Sequence, residues 1–86
     1  MSNYLLFGAE PNPVCGSVRI GFAVPDLSLV ELSIYDLTGR LVVVPTQGEY
    51  STGYHDVQLG NLSPGIYFCQ MRVGDFIDIR RFVVID

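Results

Sequence analysis

The stretch from Asn61 to Asp86 reads N-L-S-P-G-I-Y-F-C-Q-M-R-V-G-D-F-I-D-I-R-R-F-V-V-I-D. Its Ser63-Pro64-Gly65 run and its Gly74-Asp75 pair carry residues that favour turns. Two long apolar runs lie between and after these turns, an arrangement typical of a β-hairpin. We therefore predict that the chain closes with two long antiparallel strands, on which shorter strands pair and pack.

The register of this hairpin can be argued from its two faces. A two-residue turn at Gly74-Asp75 suits type II′ geometry, because glycine takes the first turn position. That register places Met71 opposite Asp78 and Cys69 opposite Arg80, so that neither face is apolar. A shift of one residue gathers apolar side chains on a single face: Tyr67, Cys69, Met71, Val73, Ile77, Ile79, Val83 and Ile85.

The shifted register has further consequences. It points Arg81 towards the core, opposite Cys69. On the other face it pairs Arg72 with Asp78 and Phe68 with Phe82. Because a one-residue slip moves a whole set of side chains across a sheet, the register with a buried apolar face is favoured. We therefore predict a three-residue connection over residues 74–76, or a tight turn followed by a bulge near Phe76.

Alternating patterns predict the remaining strands. Over residues 17–24, apolar side chains fall on one face: Val18, Ile20, Phe22 and Val24. The same reasoning gives strands over residues 29–36 and 53–59, and we also expect a first short strand over residues 5–7 and a return strand over residues 40–44. About seven strands with frequent turns predict an all-β fold, an immunoglobulin-like β-sandwich of about seven antiparallel strands.

Turn residues mark the boundaries of the middle strands. Asp36 and Gly39 occupy the first and fourth positions preferred in a type I turn. Pro45 lacks a backbone donor, so we expect it to end the strand over residues 40–44. Residues 46–52 are then predicted to form a polar loop.

Length and charge restrict the function. A chain of 86 residues forms one small domain, and 49% hydrophobic residues supply its core. The net charge is −4 with only five basic residues, so we expect no nucleic-acid partner, since phosphate binding needs a basic surface. No apolar run approaches the ~20 residues of a transmembrane helix. The N-terminus lacks the basic start of a signal peptide, so an intact gene product would stay in the cytoplasm.

The sequence contains no recognisable catalytic or metal-binding motif. The single histidine, His55, lies on the apolar face of its strand, with no partner at a catalytic or metal-binding spacing. We expect His55 to be structural, and we expect no catalytic residue, no metal and no cofactor. Cys15 and Cys69 either close a long disulfide loop or remain a free thiol at a loop edge and a buried apolar residue.

Arg81 is the unusual residue of the last strand, because the favoured register points it into the apolar face. One interpretation is structural: the side chain reaches outward or pairs with a carboxylate such as Asp36, and an inward charge discourages edge-to-edge association. The other interpretation is functional, with Arg81 recognising a partner. Residue chemistry alone favours the structural interpretation.

Five short motifs occur in a fixed order along the chain. They are Pro11-Asn12-Pro13, Tyr35 to Arg40 (Y-D-L-T-G-R), Gly53-x-His55-x-Val57, Leu62 to Phe68 (L-S-P-G-I-Y-F) and Arg80-Arg81-Phe82-Val83-Val84. As an ordered set they resemble the C-terminal sorting domain of type IX secretion cargo, found in the Bacteroidetes and relatives. The resemblance covers residues 10–86 and leaves residues 1–9 as a lead-in or linker remnant.

This resemblance implies a non-catalytic sandwich at the C-terminus of a larger secreted protein, whose location would be the medium or the outer cell surface. An outer-membrane translocon would recognise the domain, and a sortase-like peptidase would remove it from its N-terminal cargo domain. The cargo would then be released or attached to surface lipopolysaccharide. The resemblance assigns partner recognition to Arg80, Arg81, Phe82, Val83 and Val84. The motif positions expected to be structural are Pro11, Asn12, Pro13, Asp36, Gly39, Arg40, Gly53, His55, Gly65 and Tyr67.

The chain departs from the family pattern at its end, and two other resemblances compete. Arg81 stands where the family usually has lysine, and Asp86 where it often has lysine or an apolar residue. Gly65 to Cys69 is similar to the Tyr-x-Cys corner of immunoglobulin domains, although the chain has no tryptophan.

The Y-D-x-x-G-R and G-x-Y runs are also similar to the immunoglobulin-like domain of the flagellar hook-capping protein. The alternative function is therefore a structural spacer or assembly domain of an extracellular enzyme, adhesin or hook-cap protein. An exposed edge strand would also permit a weak dimer.

Overall fold

The structure is a computed structural model that describes residues 3–85. Met1, Ser2 and the departure noted at Asp86 lie outside the described residues. The strands, in order, are β1 (Leu5–Ala9), β2 (Val14–Cys15), β3 (Ser17–Val24), β4 (Ser28–Asp36), β5 (Leu41–Tyr50), β6 (Gly53–Asn61), β7 (Gly65–Val73) and β8 (Phe76–Ile85). Between residues 3 and 85 there is no helix long and apolar enough to cross a membrane.

The strands form two sheets. One has three strands in the order β1-β3-β6, and the other has five in the order β2-β8-β7-β4-β5. All neighbours pair antiparallel except β2 and β8, which are parallel over two residues. The fold is therefore an immunoglobulin-like β-sandwich, as predicted, with β2 as an additional short strand.

Alternation along the strands supplies the core between the sheets. The predicted inner face of β3 is buried, and so are alternate residues of β4 and β7. Those residues are Val30, Leu32 and Ile34 in β4, and Tyr67, Cys69, Met71 and Val73 in β7. From β8 the core takes Phe82 and Val84. Because full burial of one such apolar side chain contributes about 1.5–3 kcal/mol, these positions hold the two sheets together.

Pro45 does not end a strand. β5 runs from Leu41 through Tyr50 and pairs with β4 at one edge of the five-stranded sheet, so the predicted strand end at Pro45 is wrong. A loop was predicted over residues 46–52, but residues 46–50 belong to β5, so the prediction is wrong for that part. The β4–β5 pairing shifts beside Pro45, and an edge strand with a bulge has no hydrogen bond that the missing amide of proline would break.

The β7–β8 hairpin takes the two-residue turn. Val73 pairs directly with Phe76, and pairing continues without a shift to Gly65 and Val84. The predicted shifted register, three-residue connection and bulge near Phe76 are therefore wrong. Gly74 has a φ of 59°, and no residue other than glycine between residues 3 and 85 has a positive φ. This pattern fits type II′ geometry, in which the first turn position favours glycine.

The position of β8 in the sandwich explains this outcome. Beside the turn, the inner side of β8 carries Asp78 and Arg80, which form an ion pair at 3.7 Å and remain partly accessible to solvent. Polar side chains are tolerated there because that part of β8 lies near the margin between the two sheets. The predicted cross-strand pairs are also replaced: Arg72 lies opposite Ile77, and Phe68 lies opposite Arg81.

β1 is part of the folded sandwich. It pairs with β3, and Leu6 is only 1% exposed. The pairing shifts next to Gly8, whose φ is +86°. A Cβ atom at Gly8 would lie 3.2 Å from the Cβ of Arg80, so glycine also permits the close approach of β1 to β8. The chain then crosses to the other sheet through Pro11 and Pro13, each preceded by a cis peptide bond. A domain boundary at residue 10 stays a prediction.

Candidate recognition surface on the last strand

The outward side of β8 is apolar. We call it the β8 outer face: Ile77, Ile79, Arg81, Val83 and Ile85. Ile77 is 53% exposed and Ile79 is 52% exposed. The four apolar residues of this face were predicted to lie in the core. An apolar strand face that the described chain leaves uncovered is a feature of interaction surfaces.

A shallow groove of about 400 Å³ lies next to this face. It is lined by Tyr35, Leu37, Phe68, Gln70 and Ile79, together with Asp36 and Gly39 at the turn that follows β4. The strand pairing puts Tyr35, Phe68 and Arg81 in one row across three strands. An aromatic surface therefore extends from the groove to Arg81.

The turn at the rim of the groove is held by the carboxylate of Asp36. Its Oδ1 accepts hydrogen bonds from the amide of Thr38 (2.9 Å), the hydroxyl of Thr38 (2.7 Å) and the amide of Arg40 (3.0 Å). The Nε of Arg40 donates to Oδ2 at 3.3 Å. The amide of Gly39 donates to the Asp36 carbonyl at 3.0 Å, and Thr38 has no positive φ, so the predicted turn is present and type II geometry is excluded. Exposed Leu37 is thereby held at the rim.

These hydrogen bonds lower the pH range in which Asp36 titrates. The hydroxyl of Thr38, followed by the backbone amide of Arg40, lowers the pKa of Asp36 from 3.8 to about 2. Hydrogen bonds that stabilise the ionised carboxylate have this effect. The charged carboxylate of Asp36 therefore stabilises the folded chain.

We expect Asp36→Ala to lower the melting temperature at neutral pH by less than a core substitution would, and to lower it less near pH 2. Because the pKa of Asp36 in the folded chain lies below its ordinary value of 3.8, its stabilising contribution is present above that value. The contribution is lost as the pH falls through about 2. Thermal unfolding at both pH values measures the difference. Asp36→Asn, which keeps Oδ1 as an acceptor, is the control and should be milder. An equal deficit at both pH values would contradict this account.

Two other motif residues make contacts that hold the fold. The hydroxyl of Tyr67 donates to the carbonyl of Ser63 at 2.6 Å, across the corner between β6 and β7. This is the tyrosine corner of immunoglobulin-like sandwiches. The ring of His55 lies 4.9 Å from that of Tyr50, and its Nε2 is 2.7 Å from the carbonyl of Ser51. These contacts connect neighbouring strands and loops.

Asn12, a motif residue expected to be structural, makes contacts with β8 that the sequence did not specify. Its Oδ1 accepts a hydrogen bond from the amide of Val83 at 3.1 Å, and its Nδ2 donates to the carbonyl of Arg81 at 3.4 Å. The side-chain amide thus makes the two bonds that a neighbouring strand would make. β2 continues this cover by pairing with Val84 and Ile85. The only sequence signal was an asparagine placed between two prolines before a strand.

The five residues predicted for recognition do not share one surface. Phe82 and Val84 are buried in the core, whereas Arg81 and Val83 point outward. Arg80 points inward, and its Nε donates to the carbonyl of Leu6 at 3.1 Å. The prediction that Arg81 faces the core opposite Cys69 is wrong, because Arg80 occupies that position. Asp36 pairs with Arg40 and not with Arg81.

Groups that could carry chemistry do not converge. Cys15 is exposed and Cys69 is buried, and both are free thiols. Burial raises the pKa of Cys69 to about 12, so the thiol stays protonated and unreactive. In the described part of the chain, no three His, Cys, Asp or Glu side chains are grouped to hold a metal ion.

The comparisons with known proteins agree with the fold and the order of the motifs. The family described as the secretion system C-terminal sorting domain matches residues 10–85. The chain belongs to this family. No curated protein matches it. The resemblance to type IX sorting domains is therefore confirmed. Domains of this family are sorting signals of secreted or surface precursors, so this sorting domain implies a larger cargo protein and a secretion machinery.

Proposed function

We propose that this sorting domain is the terminal signal of a larger secreted protein and has no catalytic activity of its own. An outer-membrane translocon recognises it, and a sortase-like peptidase then removes it so that the cargo is released or attached to the cell surface. The observation that supports this proposal is the family match over residues 10–85. The uncovered apolar face on the last strand adds to it.

Recognition of the folded domain would use the β8 outer face. Ile77, Ile79 and Arg81 are exposed and can contact a partner without any change in the core. Phe82 and Val84 contribute indirectly, because their burial fixes β8 against the opposite sheet. Exposed apolar patches of this kind mark protein interaction sites.

A reporter fusion tests the function. Residues 1–86 are fused to the C-terminus of a reporter that carries its own signal peptide, in a bacterium with a type IX system. We expect the reporter to reach the surface or the medium, and the double substitution of Ile77→Ser and Ile79→Ser to hold it in the periplasm.

The matched control for this experiment changes two equally exposed apolar residues on the opposite sheet, Leu5→Ser and Phe7→Ser. This control should be exported like the unchanged fusion. Retention of the unchanged fusion in the periplasm would reject the sorting function and favour a spacer domain. Equal export of both double variants would reject recognition through the β8 outer face.

A further inference from the structure

The pairing of β8 with β7 leaves alternate backbone groups directed at the sheet edge. Val73 and Phe76 flank a two-residue turn, so they exchange hydrogen bonds with each other. Counting along β8, the odd-numbered residues from Ile77 to Val83 then direct their N–H and C=O groups away from β7. The bonds of Asn12 to the Arg81 carbonyl and the Val83 amide agree with this alternation.

Only half of this edge is hydrogen-bonded within the described chain. From the carbonyl of Arg81 to Ile85, the side chain of Asn12 and the strand β2 pair with the backbone of β8. Between Ile77 and the amide of Arg81, no strand among residues 3–85 pairs with β8. On the inner side of this stretch β1 approaches β8, where the Nε of Arg80 donates to the Leu6 carbonyl at 3.1 Å, and the Ile79 amide donates locally to Oδ1 of Asp78 at 2.9 Å. Proteins usually protect an exposed edge because its free backbone groups pair readily with another strand.

The side chains along the open stretch match an extended apolar partner. Ile77 and Ile79 are exposed, and Phe68 lies in the next strand opposite Arg81. Such a surface suits the alternate side chains of an added strand, whose backbone would bond to the open edge.

Arg81 favours a partner that carries a negative charge at this position. Arg40, Arg72 and Arg80 each form an ion pair with a carboxylate, whereas Arg81 has none within the described residues. The chain as a whole is acidic, with a net charge of −4. An exposed guanidinium in an apolar row is complementary to a partner that brings a carboxylate to this position.

We infer that the β8 edge from Ile77 to Arg81 accepts one extended strand of a partner protein. The strand places apolar side chains beside Ile77 and Ile79 and a carboxylate beside Arg81. It is short, about five residues or ~17 Å, because Asn12 closes the edge beyond Arg81. The identity of the partner rests on the proposed sorting function, whereas the pairing itself does not.

A second copy of the chain fits this edge poorly. An antiparallel pair centred on Ile79 would place each Arg81 opposite Ile77 of the other copy, where no carboxylate is present. It would also need the Arg81 carbonyl, to which Asn12 already donates. The edge therefore favours a different protein over self-association.

The experiment is a peptide titration of the whole 86-residue chain labelled with nitrogen-15. The probe is a short, end-blocked peptide of alternating valine and threonine with one glutamate, and a second peptide has lysine in place of the glutamate. We expect the glutamate peptide to slow hydrogen exchange of the Ile77 and Arg81 amides, and to bind about tenfold more tightly than the lysine peptide.

Two variants test the role of the charge. Arg81→Glu should reverse the preference, so that the lysine peptide binds more tightly. Arg19→Glu, on the outer side of β3, changes another exposed arginine that has no ion pair among the described residues. It should leave the preference unchanged.

Several outcomes would overturn the inference. They are the absence of protection at Ile77 and Arg81 with both peptides at millimolar concentration, and a preference that Arg81→Glu does not alter. Protection of the same amides by self-association without peptide would assign the edge to a second copy instead. Because the titration needs no secretion machinery, its failure leaves the sorting function standing. A failure of reporter export likewise leaves the strand-binding edge standing.

Discussion

Replacing Phe82 by alanine is expected to lower the free energy of unfolding by about 3–5 kcal/mol, whereas replacing Ile79 by alanine is expected to lower it by less than about 1 kcal/mol. Phe82 is completely buried and its ring stacks on Tyr67 at 5.6 Å. Ile79 lies on the β8 outer face and is half exposed. Since small domains are only marginally stable, the loss of Phe82 would leave a large fraction of the chain unfolded.

Chemical denaturation of the two variants measures this difference, with the slope of each transition checked against the unchanged chain. The comparison also tests the hairpin register, because the shifted register would bury Ile79 and expose Phe82. A large loss at Ile79 with a small loss at Phe82 would therefore contradict the two-residue turn.

Removing residues 1–9 is the second change with a large expected effect, a loss of about 3 kcal/mol or more. The deletion removes the buried side chain of Leu6, worth about 2–5 kcal/mol when truncated to alanine. It also removes the strand that pairs with β3 and the carbonyl that accepts the hydrogen bond from Arg80.

Thermal unfolding of residues 10–86 beside the full chain measures the effect. Leu6→Ala should reproduce much of the loss, whereas Leu5→Ala, at an exposed position of the same strand, should stay within about 0.5 kcal/mol of the unchanged chain. Equal stability of the truncated and full chains would place the domain boundary at residue 10.

The fold class could be predicted because its signals are local. Val18, Ile20, Phe22 and Val24 alternate with polar or small residues in a strand whose two faces meet very different surroundings. The Asp36 turn was likewise predictable, because the side chain bonds to the backbone two and four residues onward. Neither inference depends on how distant parts of the chain meet.

The hairpin register could not be predicted, because it depends on the shape of the whole sandwich. The shifted register was predicted on the assumption that the apolar side chains of β8 are buried in the core. The structure instead places Arg80 inward, where the backbone of Leu6 accepts its hydrogen bond. The strand end predicted at Pro45 was wrong for a similar reason. A strand at the edge of a sheet tolerates proline and a central strand does not, and the position of β5 in its sheet depends on the whole fold.

The recognition site on the last strand stays a prediction, and the structure shows that its five residues lie on both sides of β8. The motif Arg80 to Val84 pointed to β8, yet only the register decides which residues are outward. Ile77 and Ile79 were predicted to lie in the core, because exposed apolar residues of a strand have the same sequence pattern as buried ones. The exposed isoleucines depart from the usual burial of apolar strand residues, and such departures are often found at functional sites.

The first and last strands meet in the finished fold, and this has a consequence during protein synthesis. Phe82 and Val84 complete the core, and Arg80 binds the strand made first. The sandwich therefore cannot close while β8 is still inside the ribosome, so the nascent domain stays open until translation has passed its final strand.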